Sequence, residues 1–163
     1  MSNITVYHGA TQAVESPICR YGRDNLDFGR GFYVTCLREQ AVEWASRVGY
    51  NRKESPVINR YLLNREAFLA EGRSLVFNAY NEEWLEFIIA SRQGRSEAGN
   101  YDYIEGGVAN DRVVDTVNLY TAGLMDKHTA LKRLAEHQPN NQICLLNQAL
   151  TDKYLVFDGT EKP

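Results

Sequence analysis

The sequence predicts an α+β fold that forms one domain over residues 1–163. Segments of strand-like composition and segments of helical periodicity are mixed without the regular strand–helix–strand order of a parallel sheet. The chain has 163 residues, of which 44% are hydrophobic, so it is long enough to bury one sizeable core. No internal repeat, low-complexity tract or linker divides it. These three observations favour a single mixed domain.

Predicted strands dominate the first half of the chain. Residues Ile4 to His8 form a strand whose period of two puts Ile4, Val6 and His8 on one face, and Gly9 ends it. A loop with a short helical turn follows over residues 11–25, because this stretch contains a proline and a glycine. Aromatic and β-branched composition predicts the next strands, and helical periodicity predicts the next helix. They are a strand over 32–35, a helix from 38 that ends by 49, a strand over 56–63 and a short strand over 74–77.

Helices are concentrated in the second half. Residues 81–92 combine an acidic first turn with apolar residues at helical spacing, namely Trp84, Phe87 and Ile88. A polar loop follows at 93–100, and a strand over 101–108 runs into the glycine pair Gly106 and Gly107. Helical periodicity returns at 111–120 and 126–137, Pro139 breaks the chain, and final strands are predicted at 142–146 and 153–157.

Charge and cysteine usage exclude several classes of function. Eighteen basic against 21 acidic residues give a formal charge of −3, which offers no general attraction to nucleic acid or an anionic membrane. Cys19, Cys36 and Cys144 include no CxxC pair, so we expect neither a disulfide framework nor a structural metal site. We find no leader peptide and no long apolar run, and we therefore expect a cytoplasmic chain with no membrane contact.

The stretch from Asp27 to Thr35 is the most informative segment. Gly29 and Gly31 flank Arg30, so the backbone can turn sharply and approach a ligand closely. Tyr33 then enters a strand, and a helix follows at once. A glycine turn, a short strand with a tyrosine and a covering helix indicate a ligand cleft, although a tight turn entering a core strand is the commoner use of such a pattern.

Two motifs together resemble the NAD-binding core of ADP-ribosyltransferases of the diphtheria-toxin and poly(ADP-ribose) polymerase type. The first is Tyr7-His8-Gly9 at the end of the first strand, and the second is the segment from Phe28 to Tyr33. Gln142 lies where that family has a glutamate at the start of a late strand. The whole chain also resembles a small uncharacterised bacterial and phage family of this superfamily, in segments 27–33, 84–87 and 106–111. The resemblance implies a split β-sandwich with flanking helices.

The resemblance also implies roles for individual residues, with NAD as the cofactor. His8, Tyr33 and Gln142 would form the catalytic set, with His8 bonding a ribose hydroxyl and Tyr33 stacking on nicotinamide. The cofactor-binding set would be His8, Gly9, Phe28, Gly29, Arg30, Gly31, Tyr33 and Asp111, and no metal is implied. The Gly9 backbone would pair with the carboxamide, and Arg30 would face the pyrophosphate.

Each of these residues also has a plain structural interpretation. His8 could be a satisfied core histidine, Tyr33 a core residue and Arg30 a solvated turn residue. Gln142 could be an ordinary strand-edge amide, and Asp111 a helix cap. Gln142 keeps a hydrogen bond but supplies no negative charge, so Asp111 and Glu105 are the nearest alternative acids.

The sequence therefore favours an NAD-dependent mono-ADP-ribosyltransferase, acting on a macromolecule as a toxin or phage-related effector. The acceptor, protein or nucleic acid, is not identified by any pattern, and a toxin would require a neutralising antitoxin protein. The alternative is a catalytically inactive module that binds NAD or ADP-ribose with the same fold. We expect His8 and Tyr33 to line one dinucleotide-sized crevice.

Overall fold

The computed structural model describes residues 3–22, 26–109 and 113–163. These ranges contain strands and α-helices in mixed order, which confirms the predicted α+β class. In chain order the elements are β1 (Ile4–Ala10), β2 (Phe32–Val34), α1 (Arg38–Arg52), β3 (Val57–Leu63), α2 (Arg65–Glu71), β4 (Ser74–Val76), α3 (Glu82–Arg92), β5 (Tyr103–Gly106), α4 (Val114–Thr121), α5 (Lys127–Leu134), β6 (Gln142–Leu145), α6 (Gln148–Tyr154) and β7 (Leu155–Glu161). Short 3₁₀ turns lie at Cys19–Tyr21 and Ala98–Asn100.

The strands form two sheets. One has three strands in the order β1-β3-β7, and the other has four in the order β2-β6-β5-β4. All neighbours pair antiparallel except β4 and β5, which are parallel. A single bridge between Tyr7 and Thr35 connects the end of β2 to β1 in the described residues. The two sheets are therefore joined at one point and diverge from it.

The four-stranded sheet has a different core on each face. Phe32 and Val34 belong to a cluster with β1, β3 and β7, whereas Tyr33 packs on a second cluster that includes Trp84 of α3. In a strand, successive side chains point to opposite faces, so this division follows from the alternation along β2. The first cluster lies between the sheets, and the second lies between the sheet and the helices.

Helix α1 packs on β1 through small residues. A Cβ atom on Gly9 would lie 2.3 Å from the carbonyl oxygen of Ala41 and 2.6 Å from the backbone nitrogen of Ala45. Ala41 and Ala45 are both fully buried. The glycine therefore allows the helix backbone to contact the strand backbone directly.

Two short helices and several boundaries differ from the sequence-based prediction. Helices α2 and α6 were not predicted, because seven residues are too few for a clear helical period. They are capped by Asn64 and Asn147. The side-chain Oδ1 of each asparagine accepts a hydrogen bond from the backbone nitrogen three residues later, which is that of Ala67 or Leu150 respectively. Helix α1 continues past Gly49 to Arg52, where Lys53 adopts a left-handed conformation with φ 57°. Strand β7 begins at Leu155, two residues later than predicted, because α6 occupies the preceding residues.

The described helices are all too short or too polar to cross a lipid bilayer.

Candidate functional site

The three predicted catalytic residues lie on three adjacent strands. His8 is on β1, Tyr33 on β2 and Gln142 on β6. Strand β2 pairs with β6 along its whole length, and the Tyr7–Thr35 bridge links it to β1. The strands that carry these three residues, which are far apart in sequence, therefore lie side by side where the two sheets separate.

Tyr33 and Gln142 share one face of the four-stranded sheet. Tyr33 pairs with Cys144 across the β2–β6 ladder, so their side chains lie on the same face. Gln142 is two residues before Cys144 and thus points the same way. This face is the one that packs on the helical cluster.

His8 lies on the opposite face of β2, which corrects the prediction of a single crevice lined by both rings. Its imidazole packs on the ring of Phe32, with centroids 4.4 Å apart. Because Phe32 and Tyr33 are consecutive in the strand, their side chains point in opposite directions. The imidazole and the phenol are connected through the backbone of β2 and do not face each other.

The contact between His8 and Tyr33 is a hydrogen bond to the backbone. Nδ1 of His8 lies 2.7 Å from the carbonyl oxygen of Tyr33. A carbonyl oxygen only accepts, so Nδ1 carries the proton and donates. Burial lowers the pKa of His8, and the bond to this carbonyl partly opposes the shift. The imidazole is therefore held neutral.

This bond takes the place of a missing ladder hydrogen bond. Tyr7 and Thr35 exchange two backbone hydrogen bonds, of 2.8 and 2.9 Å. Hydrogen-bonded pairs recur every second residue in an antiparallel ladder, so the next pair would be Gly9 and Tyr33. The strands diverge there, and the His8 side chain reaches the Tyr33 carbonyl instead. The backbone N–H and C=O of Gly9 point toward the resulting gap, in the same direction as those of Tyr7.

The phenol of Tyr33 is fixed by the glycine turn. Its hydroxyl donates to the carbonyl oxygen of Gly29 at 2.6 Å and accepts from the backbone nitrogen of Phe28 at 3.1 Å. Burial is the main cause that raises the pKa of Tyr33, with Cys144 as a further cause. The ring is consequently neutral and rigid, with its hydroxyl engaged by the turn.

Gln142 is buried and incompletely satisfied. The residue is 5% exposed, and its Nε2 has no hydrogen-bond partner among the described residues. Across the β5–β6 ladder it faces Gly106, which carries no side chain. A buried amide without a partner costs stability, so this nitrogen is an available donor on the same face as Tyr33.

The glycines of the turn are close-packed. Gly29 has φ +90° and a Cβ there would lie 2.4 Å from that of Ala98, whereas a Cβ on Gly31 would lie 2.5 Å from Sγ of Cys144. Both positions thus require glycine for packing, and for Gly29 also for its backbone conformation.

Phe28 anchors the turn in the core, which corrects its predicted contact with a cofactor. It is fully buried, and its ring centroid lies 5.9 Å from that of Phe77 and 6.2 Å from that of Phe87. An ion pair of 3.1 Å between Asp27 and Arg92 ties the same turn to the end of α3. The turn is therefore held from both sides.

Arg30 is exposed at the mouth of a cavity of about 260 Å³. Gly29, Ser96, Gly99 and Leu146 also line this cavity. It adjoins the glycine turn, because Gly29 and Arg30 are part of its lining. His8, Tyr33 and Gln142 do not line it.

The alternative acids do not replace Gln142 in the described residues. Glu105 pairs with Ile143 across the ladder and so lies on the opposite face from Gln142. Its carboxylate accepts from Arg65 at 2.8 Å, from the Tyr103 hydroxyl and from Asn141. Asp111 lies outside the described residues.

Asn141 is a site-supporting residue that sequence reasoning missed. Its carbonyl oxygen accepts from Thr35 at 2.8 Å and from Gln40 at 2.6 Å, and its Oδ1 accepts from the backbone nitrogen of Cys36 at 3.0 Å. These bonds fasten the start of β6 to the end of β2 and to α1. Its position directly before Gln142 was the only sequence signal.

Comparison with known protein families gives a match over almost the whole chain. A family described as protein of unknown function (DUF3990) matches residues 4–157, almost the whole chain. The chain belongs to the DUF3990 family. Neither the comparison with curated proteins nor that with solved structures gave a match.

Proposed function

We propose that this DUF3990 protein is an NAD-dependent mono-ADP-ribosyltransferase that modifies a macromolecule, as a toxin or phage-related effector. The proposal rests on one observation in particular. Tyr33 and Gln142 share a sheet face next to the point where β1 leaves β2, and the Gln142 Nε2 donor is buried without a partner. A buried donor of this kind is explained by a ligand that accepts its hydrogen bond.

Each residue has a defined task in this proposal. The Gly9 backbone groups, which point into the gap between β1 and β2, pair with the nicotinamide carboxamide. Tyr33 offers the face of a ring that the glycine turn holds rigid. Gln142 donates to a ribose hydroxyl, and Arg30 binds the pyrophosphate from the rim of the adjoining cavity. His8 positions the Tyr33 peptide and does not contact ribose.

The reaction requires little of these residues beyond positioning NAD and the acceptor. The bond between ribose and nicotinamide breaks, nicotinamide leaves with the electron pair, and a nucleophile of the acceptor bonds to the ribose carbon and loses its proton. A glutamine orients the ribose but adds no negative charge near the developing positive centre. Turnover is therefore slow, and transfer of single units is favoured over chain building.

Release of nicotinamide from NAD tests the proposal. The wild type should release nicotinamide faster than Tyr33→Ala and His8→Ala, each checked for folding by circular dichroism. Equal release by all three proteins would contradict the proposal. Labelled NAD incubated with a cell lysate, followed by separate protease and nuclease treatments, then classifies the acceptor.

A binding module without turnover is the second candidate. The amide of Gln142 favours it, because an amide lacks the charge that accelerates cleavage. Calorimetric binding of NAD without nicotinamide release, in the presence of lysate, would support this candidate over the first.

A further inference from the structure

A second cavity, of about 370 Å³, lies between α3 and the edge of the four-stranded sheet. Its floor is apolar and is formed by Leu75, Phe77, Phe87 and Ala90. Glu83 and Glu97 are exposed at its rim. We refer to this cavity, with its apolar floor and its two rim carboxylates, as the α3–β4 groove.

The groove runs beside an edge strand. Strand β4 is the last in the order β2-β6-β5-β4, so only β5 pairs with it in the described residues. The backbone nitrogen of Phe77 donates to Glu105 at 2.8 Å, which directs Phe77 toward β5. The N–H and C=O of Val76 consequently point the other way, along the outer edge. An extended peptide could add there as a further strand.

Helix α3 forms the opposite wall. Glu83, Phe87 and Ala90 recur at spacings of four and three, which places them on one stripe of the helix. The stripe borders the residues that face the core, of which Trp84, Leu85 and Ile88 are fully buried. Phe87 belongs to both surfaces, because it is 9% exposed and packs on Phe77, whereas Glu83 and Ala90 are more exposed.

The charge of the groove selects its occupant. The carboxylates of Glu83 and Glu97 have no hydrogen-bond or ion-pair partner within residues 3–22, 26–109 and 113–163. Glu86, also on the rim, is paired with Lys127 at 3.3 Å, and the guanidinium of Arg95 donates to Gln93. These two carboxylates outnumber the one guanidinium of the lining, that of Arg95, whose partner Gln93 is neutral. The groove therefore favours cations that carry apolar neighbours over phosphate groups.

We propose that the α3–β4 groove binds an extended segment of another protein that presents both apolar and basic side chains on the face that meets the groove. On that face the apolar side chains enter the groove and the basic side chains meet Glu83 and Glu97, while the backbone pairs with Val76. The binding itself does not depend on the proposed transferase activity. Only the further identification of this segment as part of the acceptor rests on that activity, and it makes the acceptor a protein.

Fluorescence anisotropy with three labelled probes tests this proposal in the absence of NAD. The probes are a short valine–arginine peptide that repeats Val-Val-Arg-Arg, so that each face of the extended chain carries both residues, the same peptide with glutamate for arginine, and a single-stranded RNA. The valine–arginine peptide should bind at least about tenfold more tightly than either of the others. Tighter binding of the RNA, or equal binding of the two peptides, would overturn the proposal.

Variants locate the binding. Glu83→Gln combined with Glu97→Gln should weaken binding of the valine–arginine peptide roughly three- to tenfold, as expected for two exposed charge pairs. The matched control is Glu39→Gln with Glu43→Gln, two exposed carboxylates on α1 that should leave the affinity unchanged. An equal loss in both double variants would refute binding in the groove.

Two further measurements distinguish binding in the groove from a general attraction between charges. Ala90→Phe fills the groove and should abolish peptide binding, while its thermal unfolding shows whether the fold is intact. Hydrogen exchange at the Val76 amide should slow when the peptide binds to the wild type; unchanged exchange would refute strand addition. Peptide binding without nicotinamide release would leave this proposal standing and count against the transferase.

Discussion

Nδ1 of His8 donates to the carbonyl oxygen of Tyr33 across 2.7 Å, at the position where the β1–β2 ladder ends. The bond lets the two sheets separate while β2 stays fixed to β1. It also orients the Tyr33 peptide, whose side chain is held from the other end by Gly29. One histidine thus stabilises both the junction of the sheets and the position of the tyrosine ring.

Replacement of His8 should change the pH dependence of stability. Because burial lowers its pKa, folded His8 stays neutral at pH values where the unfolded chain is protonated, below about pH 6.5. The unfolded state then binds more protons, so the free energy of unfolding falls as the pH decreases below that value. His8→Asn removes this titration, and its free energy of unfolding should depend less on pH in that range.

Urea unfolding between about pH 5 and pH 8 measures this effect. His128→Asn is the control, because His128 is exposed on α5 and the variant should keep the wild-type slope. An identical pH dependence for His8→Asn and the wild type would contradict a half-buried imidazole that stays neutral in the folded protein.

Tyr33→Phe should separate the hydroxyl of Tyr33 from its ring. The variant leaves the Gly29 carbonyl and the Phe28 amide without their partner, so we expect a loss of about 1–2 kcal/mol in the free energy of unfolding. Part of the nicotinamide release should remain, because the ring is retained, whereas Tyr33→Ala should abolish it. Tyr50→Phe, at a side chain that is 85% exposed, should change neither quantity.

Strand composition and alternation predicted most of the site-bearing structure. The strands of His8, Tyr33 and Gln142 were predicted at nearly their observed positions, and Val6 and His8 do share a face. The sequence could not show that β2 meets β1 only at one bridge, and that bridge decides which face each ring occupies. Composition and alternation therefore predicted the right strands, whereas the expectation that both rings line one crevice was wrong.

The misplaced prediction for Phe28 has a similar cause. An aromatic residue beside a glycine turn is typical of both ligand clefts and buried anchors. Phe77 and Phe87 bury it, and both are distant in sequence. Burial that depends on distant partners has no local signature.

Gly9→Ala should destabilise the fold strongly. The added Cβ would meet backbone atoms of Ala41 and Ala45 at 2.3 and 2.6 Å, and α1 would have to move away from β1. Overpacking of this kind costs typically about 1–3 kcal/mol. Gly99→Ala is a suitable comparison, since a Cβ there has no atom within 4 Å. Thermal unfolding of both variants measures the difference, and equal midpoints would show that α1 does not depend on Gly9.

Two substitutions of Gln142 distinguish a functional amide from a structural one. Gln142→Leu removes a buried donor that has no partner, so the free energy of unfolding should stay constant or rise by about 1 kcal/mol. If Gln142 donates to ribose, nicotinamide release should fall at the same time. A stable variant with reduced release is the expected combination, because strained or unsatisfied groups at sites are retained for function.

Gln142→Glu should have the opposite pair of effects. A carboxylate supplies the missing negative charge and should raise nicotinamide release by up to about a hundredfold. Burial disfavours the charged form, so the pKa of the new carboxyl should lie above the ordinary value for glutamate, and the variant should be less stable at neutral pH than the wild type. Release by Gln142→Glu should then increase with pH as that carboxyl ionises, while the wild-type rate lacks this step. Release at or below the wild-type level throughout the pH range would show that position 142 does not act on the ribose.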